Sequence, residues 1–165
     1  MTIAKPSGHL TGAQYANRIA AYVVQGFGHR GITVYREVYL GKTIIGKNRR
    51  LDILLIEEQT RTAMGLECKY QDVVGTADEK IPYALADMDH MEMPVCLVYA
   101  GKGWSGGILH MLRASPRAAF CDPDPETLAP GEGTRELDAA LARTFRWWDV
   151  VVRGKAPFSL GRPPR

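Results

Sequence analysis

Two branched apolar runs joined by a polar break, Leu51-Asp52-Ile53-Leu54-Leu55-Ile56 and Gly65-Leu66-Glu67-Cys68-Lys69-Tyr70-Gln71, constrain this chain more than any other feature. The break, Glu57-Glu58-Gln59-Thr60-Arg61-Thr62, reads as a turn, so 51–57 and 63–70 are predicted to form a β-hairpin. Buried strands seldom carry charge, because an unpaired charge in a core is very costly. Here Asp52 opens the first strand, and Glu67 and Lys69 lie inside the second. Side chains alternate across a strand, so Glu67, Lys69 and Gln71 share one face while Leu66, Cys68 and Tyr70 take the other. A turn centred on Gln59-Thr60 puts Asp52 opposite Glu67, with Cβ atoms roughly 4.5–5.5 Å apart. Two carboxylates that close repel unless a cation stands between them.

The pattern therefore reads as a site for a hard divalent metal. A structural ion pair between Glu67 and Lys69 is the competing reading. Carboxylate oxygens suit magnesium, manganese or calcium rather than zinc. No Cys/His cluster competes: His9, His29, His90 and His110 are scattered, and Cys68, Cys96 and Cys121 lack metal-ligand spacing. All four histidines are read as structural, and the cysteines as buried thiols of a reducing compartment.

Asp52 followed by Glu67-Cys68-Lys69 resembles the signature of the PD-(D/E)XK, restriction-endonuclease-like, nucleases. Leu51 stands where the motif name has proline, and Gln71 extends the match to an E-x-K-x-Q form. Gly75-Thr76-Ala77-Asp78-Glu79-Lys80 resembles the segment that opens the next helix in some phage and restriction-system members. The resemblance spans roughly residues 11–112. It implies an α/β fold with an αβββαβ core, a central mixed sheet flanked by helices. It also implies Mg²⁺-dependent hydrolysis of phosphodiesters, with Mn²⁺ as a substitute and DNA as the partner.

Carried over residue by residue, the resemblance makes Asp52, Glu67 and the Cys68 backbone carbonyl the metal ligands, and Lys69 the group that acts on the attacking water. Gln71 either hydrogen-bonds the water or phosphate, or ends the strand in solvent. Many relatives place a glutamate in the first helix, but residues 11–29 contain no Asp or Glu. Glu37 is the candidate substitute, as a ligand of a second ion; pairing with Arg36 or Arg50 is the alternative. Lys42, Lys47, Arg49 and Arg50 lead into Asp52 and, with Lys80, are candidate phosphate contacts. A solvated basic turn is the bland alternative.

Periodicity gives the element order α–β–β–β–α–β. Thr11 caps a helix carrying Tyr15, Ile19, Tyr22, Val23 and Phe27 at helical spacing, and Ile32–Leu40 reads as a strand. After the hairpin, Thr76 or Asp78 caps a helix running to about Met91, and Pro94–Ala100 reads as a buried strand. Trp104–Leu112 and Thr134–Arg146 read as further helices, with Trp147-Trp148 and Val150–Val152 packing back on the core. Length fits one domain over residues 1–152, with a basic, Pro/Gly-containing tail over 153–165. Twenty-one basic and 18 acidic residues make the chain only mildly positive, compatible with nucleic acid without arguing for it. Met1–Pro6 has no apolar signal region and no run reaches membrane-spanning length, so a cytoplasmic protein with no membrane partner is expected. The function expected is a DNA endonuclease, phage- or restriction-related. The alternatives are a junction resolvase and a nuclease-fold DNA-binding or assembly protein that no longer cuts. Strong sequence specificity would need a homodimer or another partner, since no recognition domain is visible.

Overall fold

The computed structural model, described over residues 9–161, is built on a five-stranded mixed sheet. Strands β1 (Ile32–Lys42), β2 (Asn48–Glu57), β3 (Ala63–Tyr70), β4 (Val95–Ala100) and β5 (Ala118–Phe120) lie side by side in that order. β1, β2 and β3 are antiparallel neighbours, while β4 runs parallel to β3 and β5 parallel to β4. The change of sense follows from the connections. A tight turn can only return a strand antiparallel, whereas the helix α2 (Ala77–Met88) between β3 and β4 permits a parallel crossover.

Each face of the sheet has its own core. On one face α1 (Gly12–Phe27) and α4 (Arg135–Phe145) cover Ile53, Leu55, Leu66, Cys68, Cys96 and Val98. On the other, α2 and α3 (Gly106–Ala114) cover Val95, Leu97 and Tyr99. β4 is buried along its whole length, as a strand covered on both faces must be. α1 begins at a capping box: the Thr11 hydroxyl accepts from the Gln14 amide at 3.1 Å, and the Gln14 side chain accepts from the Thr11 amide at 2.8 Å. Tyr22 of α1 donates to Asp138 of α4, tying the two helices on that face together.

Several boundaries depart from the sequence reading. α2 ends at Met88 rather than near Met91, because the Asp89, His90 and Met91 amides turn back onto Leu85, Asp87 and Met88. α3 starts at Gly106, capped by Ser105, and Trp104 precedes it as a buried anchor whose indole donates to the Ala100 carbonyl at 3.0 Å. β5 was not foreseen. Trp147 packs back as expected, stacking on Phe27 and Phe145 at centroid distances of 5.4 and 4.8 Å. Trp148, Val151 and Val152 are instead exposed, and only Val150 of the short helix α5 (Trp148–Val151) is buried. All three cysteines are buried and free. Among the described residues no helix is long and apolar enough to cross a membrane. The reading of Met1–Pro6, and the last four residues of the tail, lie outside the described residues.

Candidate active site

The hairpin alternation breaks at Asp52. Ile53 and Leu55 point into the α1/α4 core. Arg49 reaches Asp87 of α2, and a Cβ placed on Gly65 would fall 2.9 Å from Leu51 Cδ1 and 3.2 Å from Val95 Cγ1. Residues of one parity thus change sides of the sheet across Asp52. On the neighbouring strand the register brackets Glu37 between Arg36↔Ile53 and Val38↔Leu51. Glu37 adopts a left-handed backbone, φ 56°, that costs a residue with a Cβ about 1 kcal/mol or more. The irregularity frees the Asp52 carboxylate from a regular strand position, and its Oδ2 accepts from the Cys68 amide at 2.8 Å. Arg36 holds the Asp52 carbonyl at 2.9 Å through Nε and also donates to Asn17 of α1, bracing the break from behind.

Glu67 meets this carboxylate from β3. The antiparallel ladder runs to Ile53↔Leu66, so the next pair in register is Asp52 and Glu67. Glu67 and Lys69 lie on the α2/α3 face, beside Leu97 and Tyr99 of β4. Lys69 Nζ stands 3.5 Å from Glu67 Oε2, so the ion pair weighed as the bland reading does exist, as one part of a three-residue cluster. Burial, and next the Asp52 carboxylate, push the Glu67 pKa up from 4.5 to about 7, with Lys69 opposing. Two acids forced together out of water are a site that lacks positive charge.

That shift has a stability consequence with a definite sign. Between about pH 4.5 and 7 the folded chain keeps a proton on Glu67 that the unfolded chain has lost. Unfolding releases it, so stability falls as pH rises through that window, by on the order of 2–3 kcal/mol. In EDTA, wild-type melting curves should therefore show a larger loss between pH 5 and 8 than those of Glu67→Gln. Parallel curves for the two proteins would show that Glu67 is not desolvated.

Glu67 and Lys69 form one wall of a cavity of about 360 Å³, closed on the far side by Tyr83, Ala84 and Met88 of α2. Arg49, Arg50 and Lys80 also line it, whereas Lys42, Lys47 and Glu37 do not. Arg49 is not free to bind phosphate: its Nε and Nη2 grip both Asp87 oxygens at 3.0 and 2.7 Å. Asp87 also accepts from the Ile44 amide, so it clamps the β1–β2 turn to α2. Removing it leaves a mostly buried guanidinium unpaired. Asp87→Ala should cost about 3 kcal/mol in urea unfolding, and a loss under 1 kcal/mol would mean that the clamp is ornamental.

Lys80 and Arg50 keep exposed cationic ends at the cavity, Arg50 lying 4.0 Å from Glu37. Glu37 is exposed in that loose pair and does not join Asp52 and Glu67. Among the described residues no group of three or more Asp, Glu, His or Cys side chains gathers to hold a metal. Glu37 therefore does not stand with Asp52 and Glu67 as a third acidic side chain. Lys42 bonds Asn48 at 2.5 Å on the exposed turn, and Lys47 is exposed beside it.

Gln71 is neither at a solvent end nor in the cavity. It is 6 % exposed, and its Nε2 donates to the Gly103 carbonyl and Asp78 Oδ1, both at 2.9 Å. Its Oε1 accepts from the Ala77 amide at 3.0 Å, which makes Gln71 the cap of α2 in place of Thr76 or Asp78. Asp78 in turn accepts from the Ser105 amide. Gly101 and Gly103 let two backbones cross here. Gly101 has φ +99° with a Cβ that would overlap the Gln71 carbonyl, and a Cβ on Gly103 would fall 2.5 Å from Val73 backbone atoms. Sequence reasoning missed the Arg49–Asp87 clamp and the Arg36 brace, which are long-range polar contacts, and Gln71 as a cap, because it reaches α2 from six residues before Ala77 rather than from the usual capping position. Only the two glycines close to Trp104 hinted at a close backbone approach.

Comparison with known proteins shows the family of the chain. The family described as the PD-(D/E)XK nuclease superfamily domain matches residues 11–148. No curated protein matches the chain. Among solved structures it is similar to a repair endonuclease from Pyrococcus abyssi, at 13% identity and TM-score 0.36, over 62% of this chain and 44% of that one. It is also similar to a type III CRISPR defence DNA nuclease activated by cyclic oligoadenylate, at 17% identity and TM-score 0.43, over 86% of this chain and 21% of that one. The chain thus spans less than half the length of either structure. With a mixed sheet flanked by helices and a family match over most of its length, the chain belongs to the PD-(D/E)XK nuclease superfamily.

Proposed function

We propose that this protein is a metal-dependent DNA endonuclease that uses Mg²⁺, with Mn²⁺ as a substitute. The observation that carries the reading is the cluster itself: two carboxyl groups in contact, one desolvated, with Lys69 3.5 Å from Glu67 at a cavity wall. An all-oxygen donor set of Asp52, Glu67 and the Cys68 carbonyl fits a hard divalent cation. Such a cation, when bound, acidifies water and offsets charge on a phosphoryl oxygen. Asp52 is held ready by the Cys68 amide, and Glu67 by its place on β3. Lys69 orients the attacking water and donates to the phosphoryl oxygens as negative charge develops on them. A bond forms from the water oxygen to phosphorus, the bond to one sugar oxygen breaks, and that oxygen takes up a proton. Lys80 and Arg50 hold flanking phosphates, and Lys42 and Lys47 extend the positive track along the turn.

Supercoiled plasmid incubated with the protein and Mg²⁺ tests this. Nicked or linear product that disappears with EDTA supports the reading. No product with Mg²⁺ or Mn²⁺ on plasmid or on short DNA refutes it. Charge removal on the track provides a second test. Lys80→Ala with Arg50→Ala should weaken duplex binding and flatten the plot of log K against log salt by roughly 0.9 for each phosphate no longer neutralised. An unchanged slope would take these residues off the nucleic-acid path.

A further inference from the structure

The cavity beside Glu67 and Lys69 is larger and less polar than a phosphodiester requires. A phosphate is anionic and gains from Lys80, Arg50 and Lys69, but nothing from an aromatic ring or thioethers. Yet the same lining includes Tyr83, Ala84, Met88 and Met91. Met88 is 1% exposed and belongs to the α2/α3 core, so it forms a fixed floor. Tyr83 is 37% exposed, an aromatic ring standing at the cavity rather than buried beneath it. The shape does not depend on a ligand closing it. Asp87 grips Arg49 and the Ile44 amide, so the turn and α2 are pinned on either side of the opening.

A planar group with apolar faces, polar edges and an attached anion fits this combination. We propose that the cavity takes one unstacked nucleobase of the strand being cut, lying against Tyr83 with Met88 and Met91 beneath it. Its phosphate is then held between Lys80 and the Glu67–Lys69 wall. A volume of about 360 Å³ is at the lower end of the range for small-molecule sites and has room for a single nucleoside. Thr43 and Asn48 on the same lining supply donors and acceptors to the base edge. A base paired in a duplex cannot enter, so strands with unpaired nucleotides are the preferred substrate and intact duplex must first be opened. This rests on the nuclease reading of the same site, and Tyr83 is a binding residue rather than a catalytic one.

The test uses end-labelled DNA in four forms with Mg²⁺: a single strand, the same strand in perfect duplex, the duplex with a two-nucleotide bulge, and the single strand with abasic sites. Wild type should cut the single strand and the bulge faster than the perfect duplex, and the abasic strand more slowly than the intact one. Tyr83→Ala, checked by its melting curve to be folded, should lose roughly 5- to 100-fold on the single strand, while Tyr83→Phe keeps most activity. Equal cutting of duplex and single strand, or a folded Tyr83→Ala with wild-type rates on the single strand, overturns the inference and leaves the nuclease reading standing. If wild type cuts nothing, the nuclease reading fails, and anisotropy with the labelled single strand in Ca²⁺ decides the cavity. There, weaker binding by Tyr83→Ala supports a base site, and equal binding by the two proteins refutes it.

Discussion

Replacing Lys69 by alanine should lower the cleavage rate by about 10²–10³-fold while leaving the fold close to wild type and weakening DNA binding by no more than one lost phosphate contact. Lys69 is only partly exposed and touches Glu67, but it is not in either apolar core. Its removal leaves Glu67 to be protonated more readily beside Asp52, so the structural cost is modest where Glu67 can take up a proton. The catalytic cost is large, because the ammonium is aimed where charge develops during attack on phosphorus. Lys69→Arg keeps the charge but replaces a compact ammonium with a planar fork, and should recover only part of the rate. Single-turnover cleavage of a labelled strand, with melting curves alongside, separates the two costs. A folded Lys69→Ala protein that cuts at wild-type speed would remove Lys69 from the chemistry.

Gly101→Ala should be the most damaging small substitution for stability, at about 3 kcal/mol or more in urea unfolding. Its φ of +99° is one that residues with a side chain rarely adopt, and the new methyl would overlap the Gln71 carbonyl. The Gln71 amide donates to Ala100, and the Gly103 amide donates to the Gln71 carbonyl, so relief requires pulling this crossing apart. The crossing holds Gln71, and Gln71 caps α2, which carries Lys80 and Tyr83. Gly101→Ala should therefore reduce activity beyond its loss of folded protein. A variant with wild-type unfolding and rates would show that the two loops do not meet. Gly12→Ala, with open space around its Cβ position, is the control expected to be nearly neutral.

The strand pattern of residues 51–70 was legible because alternation and a polar turn specify a hairpin locally. The same logic placed Asp52 and Glu67 as cross-strand neighbours. It did not foresee that the alternation breaks at Asp52, since a left-handed Glu37 on the adjacent strand leaves no mark in residues 51–56. The capped α1 and the buried β4 were also legible, from a Thr-x-x-Gln box and an unbroken apolar run. β5 was not, because Ala118–Phe120 is three residues long and joins the sheet only through a neighbour already formed. Gln71 and Arg49 looked like substrate contacts, yet both are taken up by partners in the fold, Gln71 by Ala77, Asp78 and Gly103, and Arg49 by Asp87, 38 residues away. Residue type and proximity to a motif signal that a polar side chain matters. Only the fold tells which group it serves.

The claim that Asp52 and Glu67 form a cation site is tested most directly by a crystal soaked in Mn²⁺. An anomalous peak is expected, bonded to one carboxylate oxygen from each of Asp52 and Glu67 and to the Cys68 carbonyl, and absent from a crystal of Glu67→Gln. A peak elsewhere on the protein, or none with Asp52 and Glu67 still in contact, would contradict it.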